Sequence, residues 1–501
     1  MDNRYGRGHK NGESGQNNAK VEKAHGANFL SDKKSQFVSL GQSAPVNLIS
    51  ILDRSKLAPK ICNGFNFVHN LMIYLDDMNY KLQTLASGLR VLTIPMPAVQ
   101  SATLTVWVKA GSRNEEGSVN GISHFLEHMV FKGSNKRPSA REISGAVDAI
   151  GGEFNAGTGK EWTNFYIKAR KDNLPIAFDV LSDMVLNPLL RPEEIEKEKG
   201  VIIEEIAMYE DTPMFKIGDV FEELIFDKHP LSWDISGTAE TVKAIKKDDF
   251  LRYRELRYSA ENIVITVAGG VEEGEVVKLA ERYFGKLSSK SNSPAFNKFT
   301  ARQAKPQVKL HPKKKEQAHL ILGFRGNSRE HKDRFTEAIL ASILGGGMSS
   351  RLFIEVRERR GLAYAIRTSL EHYIDTGYIG TYAGVDVNRV EEAITVILKE
   401  HYKITNQESG IKNQELNKAK EYIKGHLALA LEDTKDVASF FGENELMLDK
   451  VETPEEVFKK IDEVKVEDVV RVAKEFFKPE RLNLAIIGPY ESAESFKKLL
   501  G

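Results

Sequence analysis

An internal repeat constrains the fold of this chain more than any other feature of its sequence. The segment DDFLRYRELRYSAENIVITVAGG, which begins at Asp248, resembles EDVVRVAKEFFKPERLNLAIIGPY, which begins at Glu467. In both segments a helical pattern leads to an apolar strand, which ends at Gly269 or, 219 residues later, at Gly488. Upstream, TAETVKAI and TPEEVFKKI match again. The repeat predicts two copies of one α/β domain.

This repeat divides the 501 residues into four predicted parts. Residues 1–78 begin with a long polar stretch, which predicts an N-terminal extension that is largely disordered. Residues 79–290 and 306–501 hold the two copies, and the polar segment 291–305 is the predicted linker.

Strand and helix patterns of the first copy indicate an α+β fold. YKLQTLASGLRVLTIPMP predicts two strands joined at Ser87 and Gly88, and ATLTVWVKAGS predicts a third strand. EFNAGTGKEWTNFYIKA predicts another pair of strands, whereas EEIEKEKGVIIEEIAMYED predicts a long helix. The expected architecture is therefore two similar domains, each with a sheet and packed helices.

Residues 121–133 of the first copy read GISHFLEHMVFKG and contain the order H-x-x-E-H. If the stretch is helical, His124 and His128 lie one turn apart on one face, within reach of a single zinc ion. Glu127 projects near that face and is the candidate general base for an attacking water. The alternative is an amphipathic core helix whose histidines are satisfied by hydrogen bonds. A third ligand decides between the two.

The long helix supplies candidate carboxylates for that third position. Glu198 and Glu205 are seven residues apart, so they share a helix face. Either Glu204 or Glu205 is the ligand by position along the chain. Glu205 is preferred because its pairing with Glu198 places a second carboxylate near the metal. The alternative interpretation is a solvated acidic helix face.

The second copy lacks this pattern. At the same offset of 219 residues, the histidines and glutamate of the H-x-x-E-H pattern correspond to Ile343, Gly346 and Gly347. None of these three residues has a metal-binding side chain. The sequence therefore predicts one zinc ion per chain. The glycine run at this position lacks the full G-x-x-x-x-G-K pattern, so nucleotide binding is not predicted.

Composition argues against several classes of partner. The chain has 71 basic and 71 acidic residues, which gives no reason to expect binding to nucleic acid or to an anionic membrane. The single cysteine, Cys62, excludes an intrachain disulfide framework and fits a reducing compartment. The sequence shows no membrane-length apolar run and no signal-peptide pattern, so we predict a cytoplasmic protein.

Four motifs together resemble those of the pitrilysin (inverzincin) zinc metallopeptidase family. They are HFLEH, EKGVIIEE, GGEFNAGT and RERRGLAY, and the resemblance covers residue 79 to the end. The chain is most similar to the half-length branch, which includes bacterial processing peptidases and the β subunit of mitochondrial processing peptidase. The family fold, two similar domains that each pack an antiparallel sheet with helices, agrees with the repeat.

The resemblance implies a role for each residue of the predicted metal site. His124, His128 and Glu205 would bind zinc, and Glu127 would be the general base. Glu198 would be the supporting acidic residue of the metal helix.

The same resemblance implies two substrate-binding features. Asn155 and Ala156 would lie on the edge strand to which the substrate adds as a further β-strand. Arg357 and Tyr364 would reach the active site from the second domain and hold the substrate. The alternative for this pair is a salt-bridged arginine and a packed tyrosine.

The family also implies a function and an assembly. We expect a zinc-dependent endopeptidase that hydrolyses short or unfolded peptides inside a chamber closed by two chains. A homodimer would be self-sufficient, because one chain carries both the zinc helix and the Arg-Tyr pair. The alternatives are a non-catalytic structural subunit and a presequence-processing subunit that needs a different partner chain.

Overall fold

The computed structural model describes residues 79–289, 296–406 and 410–501. The predicted N-terminal extension, residues 1–78, and the beginning of the predicted linker lie outside the described residues. Among the described residues, no helix has the length and apolar character that a membrane span requires. The cytoplasmic location stays a prediction.

The first half of the chain forms a six-stranded sheet in the order β1-β2-β6-β3-β5-β4. The predicted turn at Ser87 and Gly88 joins β1 to β2, and Gly88 has a φ of 86° that favours glycine. Strand β4, which carries the NAGT motif, lies at one edge of the sheet. The strands are β1 Lys81–Thr84, β2 Arg90–Pro95, β3 Ser101–Val108, β4 Glu153–Thr158, β5 Thr163–Arg170 and β6 Ile263–Gly269.

The second half forms a five-stranded sheet in the order β7-β11-β8-β10-β9. Strand β9 lies at the edge that corresponds to β4 of the first sheet. The strands are β7 Gln307–Pro312, β8 Gln317–Gly326, β9 Ala363–His372, β10 Gly377–Asp386 and β11 Leu482–Gly488.

Helices connect and cover the strands in both halves. In the first half they are α1 Ile122–Val130, α2 Ala140–Asp148, α3 Leu174–Leu186, α4 Pro192–Asp211, α5 Pro213–Phe226, α6 Ala239–Ala244, α7 Lys247–Arg257 and α8 Glu273–Phe284. In the second half they are α9 Arg334–Gly345, α10 Val390–Ile404, α11 Asn413–Ala430, α12 Thr434–Leu448, α13 Pro454–Glu463, α14 Val466–Phe476 and α15 Glu494–Leu500, with a π-helical turn at Phe353–Glu358.

The α+β class is confirmed, but the expectation of antiparallel sheets is wrong in one detail, because each sheet is mixed. Strand β2 runs parallel to β6, and β7 runs parallel to β11. The other neighbouring strands are antiparallel. A parallel pair needs a long crossover connection, and the chain between β2 and β6 supplies one that contains α1 to α7.

The sequence repeat is also a structural repeat. Strands β6 and β11 occupy corresponding positions in the two sheets. The preceding helices α7 and α14 begin with the same cap: the Lys246 N–H donates to Asp249 at 2.9 Å, and the Lys465 N–H donates to Asp468 at 3.0 Å. The domain boundaries drawn from the repeat stay a prediction.

Each sheet is covered on one face by helices of its own half and on the other face by a helix of the opposite half. Helices α1, α3 and α8 bury the main core of the first sheet, whereas α12 packs on the opposite face against β2, β3 and β6. Helix α5 packs in the same way against β7, β8 and β11. On its side of the first sheet, α1 contacts β4, α4 and α7.

Candidate active site

One buried carboxylate fixes the N-terminus of α1, the helix that carries both histidines. Glu115 accepts the backbone N–H groups of Gly121 and Ser123 and the side-chain amide of Asn120, each at 2.8 Å. Gly121 has a φ of 98°, and a Cβ there would lie 2.6 Å from the Ser236 carbonyl oxygen. The backbone conformation at the start of α1 therefore requires glycine at position 121.

His124, His128 and Glu205 converge on one point between α1 and α4. The Nε2 atoms of the two histidines are 3.3 Å apart. Glu205 Oε2 lies 3.7 Å from His124 Nε2 and 3.5 Å from His128 Nε2. Glu204 is exposed on the same helix, whereas Glu205 is largely buried. The geometry therefore favours Glu205 over Glu204 as the third donor.

These distances fit a zinc ion. Tetrahedral zinc with bonds of about 2.0–2.2 Å to nitrogen and oxygen separates its ligand atoms by roughly 3.3–3.5 Å. The donor set of two imidazoles and one carboxylate is also typical of catalytic zinc sites, which leave a fourth position open. Among the described residues, this is the one group of three or more potential metal-binding side chains whose donor atoms all lie within 4.8 Å of one another.

Glu198 orients the imidazole ring of His128 through the ring nitrogen that does not face the donor cluster. His128 Nδ1 donates to Glu198 Oε1 at 2.9 Å, so its Nε2 points toward His124 and Glu205. Lys132 Nζ lies 2.5 Å from the other oxygen of Glu198. Burial of Glu198 raises its pKa, but the hydrogen bonds from His128 and Lys132 outweigh this effect, so its pKa is lowered. Glu198 is therefore ionised at neutral pH.

The cluster has a strong negative potential. Burial lowers the pKa of His128, but the hydrogen bonds to Glu198 and Glu205 and the charge of Glu127 outweigh burial and raise the pKa to about 9. A cation at this point is therefore favoured, and the metal-free histidine binds a proton there. Metal binding displaces such a proton.

Glu127 lies on α1 between the two histidines and is 4% exposed. Its Oε2 accepts a hydrogen bond of 2.5 Å from the Thr158 hydroxyl, at the end of β4. This contact joins the candidate base to the edge strand of the first sheet. Glu127 is thus held close to the donor cluster, as the helical spacing predicts.

Asn155 and Ala156 lie on β4, where the sequence places them. Within the described residues β4 pairs with β5 on one side, Asn155 opposite Tyr166 and Ala156 opposite Phe165, and no strand pairs with its other side. The Asn155 side chain accepts the Ala156 N–H at 2.9 Å. The outer edge of β4 is the position at which a further strand would add to the sheet.

Arg357 and Tyr364 lie together in the second half of the chain, Arg357 in the π-helical turn Phe353–Glu358 and Tyr364 on β9. The Arg357 guanidinium carbon is 5.3 Å from the centre of the Tyr364 ring. Tyr364, near the start of edge strand β9, is 79% exposed. Both residues line an open cavity of about 460 Å³, and no residue of the His124–His128–Glu205 cluster lines it. Within the described residues of one chain, the cavity beside the pair is therefore distinct from the donor cluster.

Sequence reasoning missed Glu115, Lys132 and Thr158, which hold the site residues in place. Lys132 is four residues after His128, a spacing that would place it on the same face of a longer helix and is a usable signal, although α1 ends at Val130. Thr158 belongs to the NAGT motif but gives no signal of its own. Its partner Glu127 is 31 residues away in the chain and becomes a neighbour only through the packing of α1 on β4.

Comparison with known proteins identifies the family to which this site belongs. Residues 90–239 match the model of insulinase, peptidase family M16, and residues 244–423 match that of the peptidase M16 inactive domain. The chain belongs to peptidase family M16, as a half-length member, which confirms the resemblance drawn from the motifs.

Relatives in several bacteria share nearly their whole length with this chain. A protein of Bacillus subtilis named as an uncharacterized zinc protease is 38% identical over 82% of this chain and 98% of its own length. One of Streptomyces coelicolor with a similar name is 37% identical over 82% of this chain and 90% of its own length. A protease from Helicobacter pylori of known structure superposes with a TM-score of 0.77 at 25% identity, covering 82% of this chain and 99% of that chain.

Proposed function

We propose that this protein is a zinc-dependent endopeptidase that hydrolyses short or unfolded peptides. The observation that carries the proposal is the convergence of His124, His128 and Glu205, with Glu127 beside them, on donor distances that fit zinc. The names of the family relatives support a zinc protease.

In this proposal His124 and His128, through Nε2, and Glu205 hold one zinc ion per chain. When bound, zinc supplies Lewis acidity to the scissile carbonyl and to the attacking water. Glu127 takes a proton from the water as its oxygen attacks the carbonyl carbon. The carbon–nitrogen bond then breaks, and Glu127 returns the proton to the leaving amine.

The substrate is proposed to bind as an added strand on β4, alongside Asn155 and Ala156. Main-chain hydrogen bonds to an open sheet edge require an extended peptide and tolerate many side chains. A folded protein offers few such segments. This mode of binding therefore supports short or unfolded peptides as the substrate class.

We test the activity with a quenched fluorescent, unstructured peptide, comparing the wild-type protein with Glu127→Gln and measuring zinc in both. We expect about one zinc ion per chain in both proteins, and a loss of at least about 100-fold in turnover in the variant. Equal turnover in both proteins would contradict the assignment of the base. Zinc in both without turnover in either would favour a structural subunit, or a processing subunit that needs another chain.

We further propose that the active form is a homodimer, in which Arg357 and Tyr364 of one chain hold the substrate at the zinc site of the other. Two observations support this: Tyr364 is exposed at edge strand β9 with Arg357 beside it, and within one chain the pair lines a cavity that none of the zinc-binding residues lines. A chamber between two such chains would admit only short or flexible substrates.

Mixed dimers test this arrangement. Chains with Glu127→Gln are co-expressed with chains carrying Arg357→Ala, each with its own affinity tag, so that the mixed species are recovered in two purification steps. One site of each mixed dimer then combines an intact Glu127 with an intact Arg357 of the other chain. We expect mixed dimers with about half the wild-type turnover, although each variant alone is impaired. Mixed dimers without restored activity would place the pair in the same chain's site or outside catalysis.

A further inference from the structure

We propose that Thr158 is a positioning residue for the general base Glu127. The proposal rests on the endopeptidase function proposed above and adds a residue to its machinery. Its basis is the 2.5 Å hydrogen bond from the Thr158 hydroxyl to Glu127 Oε2. This contact links β4, the proposed substrate-binding strand, to the base itself.

A glutamate in this position needs such a partner. The terminal torsion of a glutamate side chain is soft, so the plane of its carboxylate is not fixed by rotamer preference. The Thr158 hydroxyl occupies one carboxylate oxygen of Glu127 and thereby sets the direction of the other. Proton transfer requires the base to lie within hydrogen-bond reach of the water, so a fixed carboxylate plane favours the reaction.

The backbone holds Thr158 firmly in place. Thr158 is the last residue of β4 and pairs with Thr163 of β5. The turn that follows is closed by the Gly159 N–H, which donates to the Trp162 carbonyl at 2.8 Å. The same turn is fastened to the chain before α1, because the Arg113 N–H donates to the Lys160 carbonyl at 2.8 Å.

Groups of the second half also help to anchor this turn. Lys160 Nζ lies 2.9 Å from Glu222 Oε2, and Glu222 accepts the Tyr373 hydroxyl of the second half at 2.7 Å. Glu161 Oε1 accepts from Arg113 at 2.6 Å and also receives the Ile374 N–H. Lys160, Glu161 and Glu222 are all buried. The hydroxyl of Thr158 is therefore presented to Glu127 from a rigid support.

The test compares Thr158→Val, which removes the hydroxyl at nearly constant volume, with Thr158→Ser, which keeps it. We expect Thr158→Val to lower kcat by about 10- to 100-fold, the range typical for residues that orient a catalytic group. KM, zinc content and thermal midpoint should stay close to those of the wild type. Thr158→Ser should keep kcat within about threefold of the wild type, because it restores the hydrogen bond.

Thr163→Val is the matched control. Thr163 faces Thr158 across the strand pair, but its hydroxyl donates to the Ala110 carbonyl at 2.8 Å and is not bonded to Glu127. This variant loses a buried hydrogen bond, so it should lower the thermal midpoint. Its kcat should stay within about threefold of the wild type if the effect at Thr158 is specific to the base.

High-resolution crystal structures provide a readout that does not depend on turnover. We expect one carboxylate orientation of Glu127 in the wild type and in Thr158→Ser, and a rotated or divided orientation in Thr158→Val. An unchanged orientation in Thr158→Val would overturn the proposal, as would an unchanged kcat, or a kcat in Thr158→Ser as low as in Thr158→Val. A wild type without turnover would instead count against the endopeptidase function, and the crystal structures would then decide the role of Thr158 alone.

Discussion

At the scale of single residues, His128 is the most constrained side chain of the candidate site. Its Nδ1 donates to Glu198, and Glu198 is in turn paired with Lys132. This arrangement fixes the tautomer of the ring and directs the lone pair of Nε2 toward His124 and Glu205. In the proposed zinc site, Glu198 would therefore orient one ligand without being a ligand itself.

We predict that Glu198→Ala weakens zinc binding by about 10- to 100-fold, because the ring of His128 loses its orienting partner. Glu198→Gln should be milder, since its carbonyl oxygen still accepts the Nδ1–H. Titration against a competing chelator measures both affinities. Glu196→Ala is the control, because Glu196 is exposed on the same helix and pairs with Lys199. Wild-type affinity in Glu198→Ala would contradict this role.

Helical spacing alone predicted the relative positions of His124, Glu127 and His128 on one helix, and of Glu198 and Glu205 on another. The choice between Glu204 and Glu205 was different, because adjacent helical residues point about 100° apart and either could face the metal. The rotation of α4 relative to α1 determines which of the two glutamates faces the histidines. That rotation depends on packing between distant parts of the chain. The structure favours Glu205, whose side chain is largely buried beside the histidines, over the exposed Glu204.

At the scale of elements, the two halves are joined by an exchange of helices. Helix α12 of the second half lies on the first sheet at Gly442, and helix α5 of the first half lies on the second sheet. A Cβ at Gly442 would lie 2.3 Å from Trp107 Nε1 and 2.5 Å from the Thr266 hydroxyl. Glycine is therefore what allows α12 to approach the sheet so closely.

We predict that Gly442→Ala destabilises the protein by about 1–3 kcal/mol, because the added methyl group overpacks this contact. Gly425→Ala is the matched control in α11, where a Cβ would meet no atom within 4 Å. That change should stabilise the protein by about 0.5–1 kcal/mol through helix propensity. Thermal unfolding measures both changes. A midpoint in Gly442→Ala at or above that of the wild type would contradict the close packing.

The sequence predicted the strands around Gly88, the long helix α4 and the repeated α7–β6 and α14–β11 units, because their periodicity and turns are local. The helix exchange could not be predicted in the same way. An amphipathic pattern shows that a helix has a buried face, but it does not identify the sheet that covers this face. The parallel pairs β2–β6 and β7–β11 depend equally on contacts distant in sequence.

At the scale of the whole molecule, charged side chains lie near the junction of the two halves. One of them is Glu371 of β9: burial raises its pKa, the charges of Glu222 and Glu443 raise it further, and Arg329 and Lys160 only partly oppose this, so that its pKa reaches about 8. In the unfolded chain the same group ionises near pH 4.5. Between these two values the folded protein binds one proton more than the unfolded protein.

Stability should therefore fall as pH rises from about 4.5 to 8, by at most about 1.4 kcal/mol per pH unit from this group. We predict that Glu371→Gln removes this loss of stability at high pH, so the variant is more stable than the wild type at pH 8. The difference should shrink toward pH 5, where Glu371 is protonated in the folded protein. Thermal midpoints across this range measure the effect, with exposed Glu432→Gln as the control. A difference that does not change with pH would contradict the prediction.

The central claim is that His124, His128 and Glu205 form a catalytic zinc site. The most direct test measures zinc content and peptide turnover in Glu205→Gln beside Glu204→Gln, two neighbouring changes of the same chemistry. We predict about one zinc ion per chain and wild-type turnover in Glu204→Gln, and loss of both in Glu205→Gln. Full zinc content and turnover in Glu205→Gln, with loss of both in Glu204→Gln, would contradict the site.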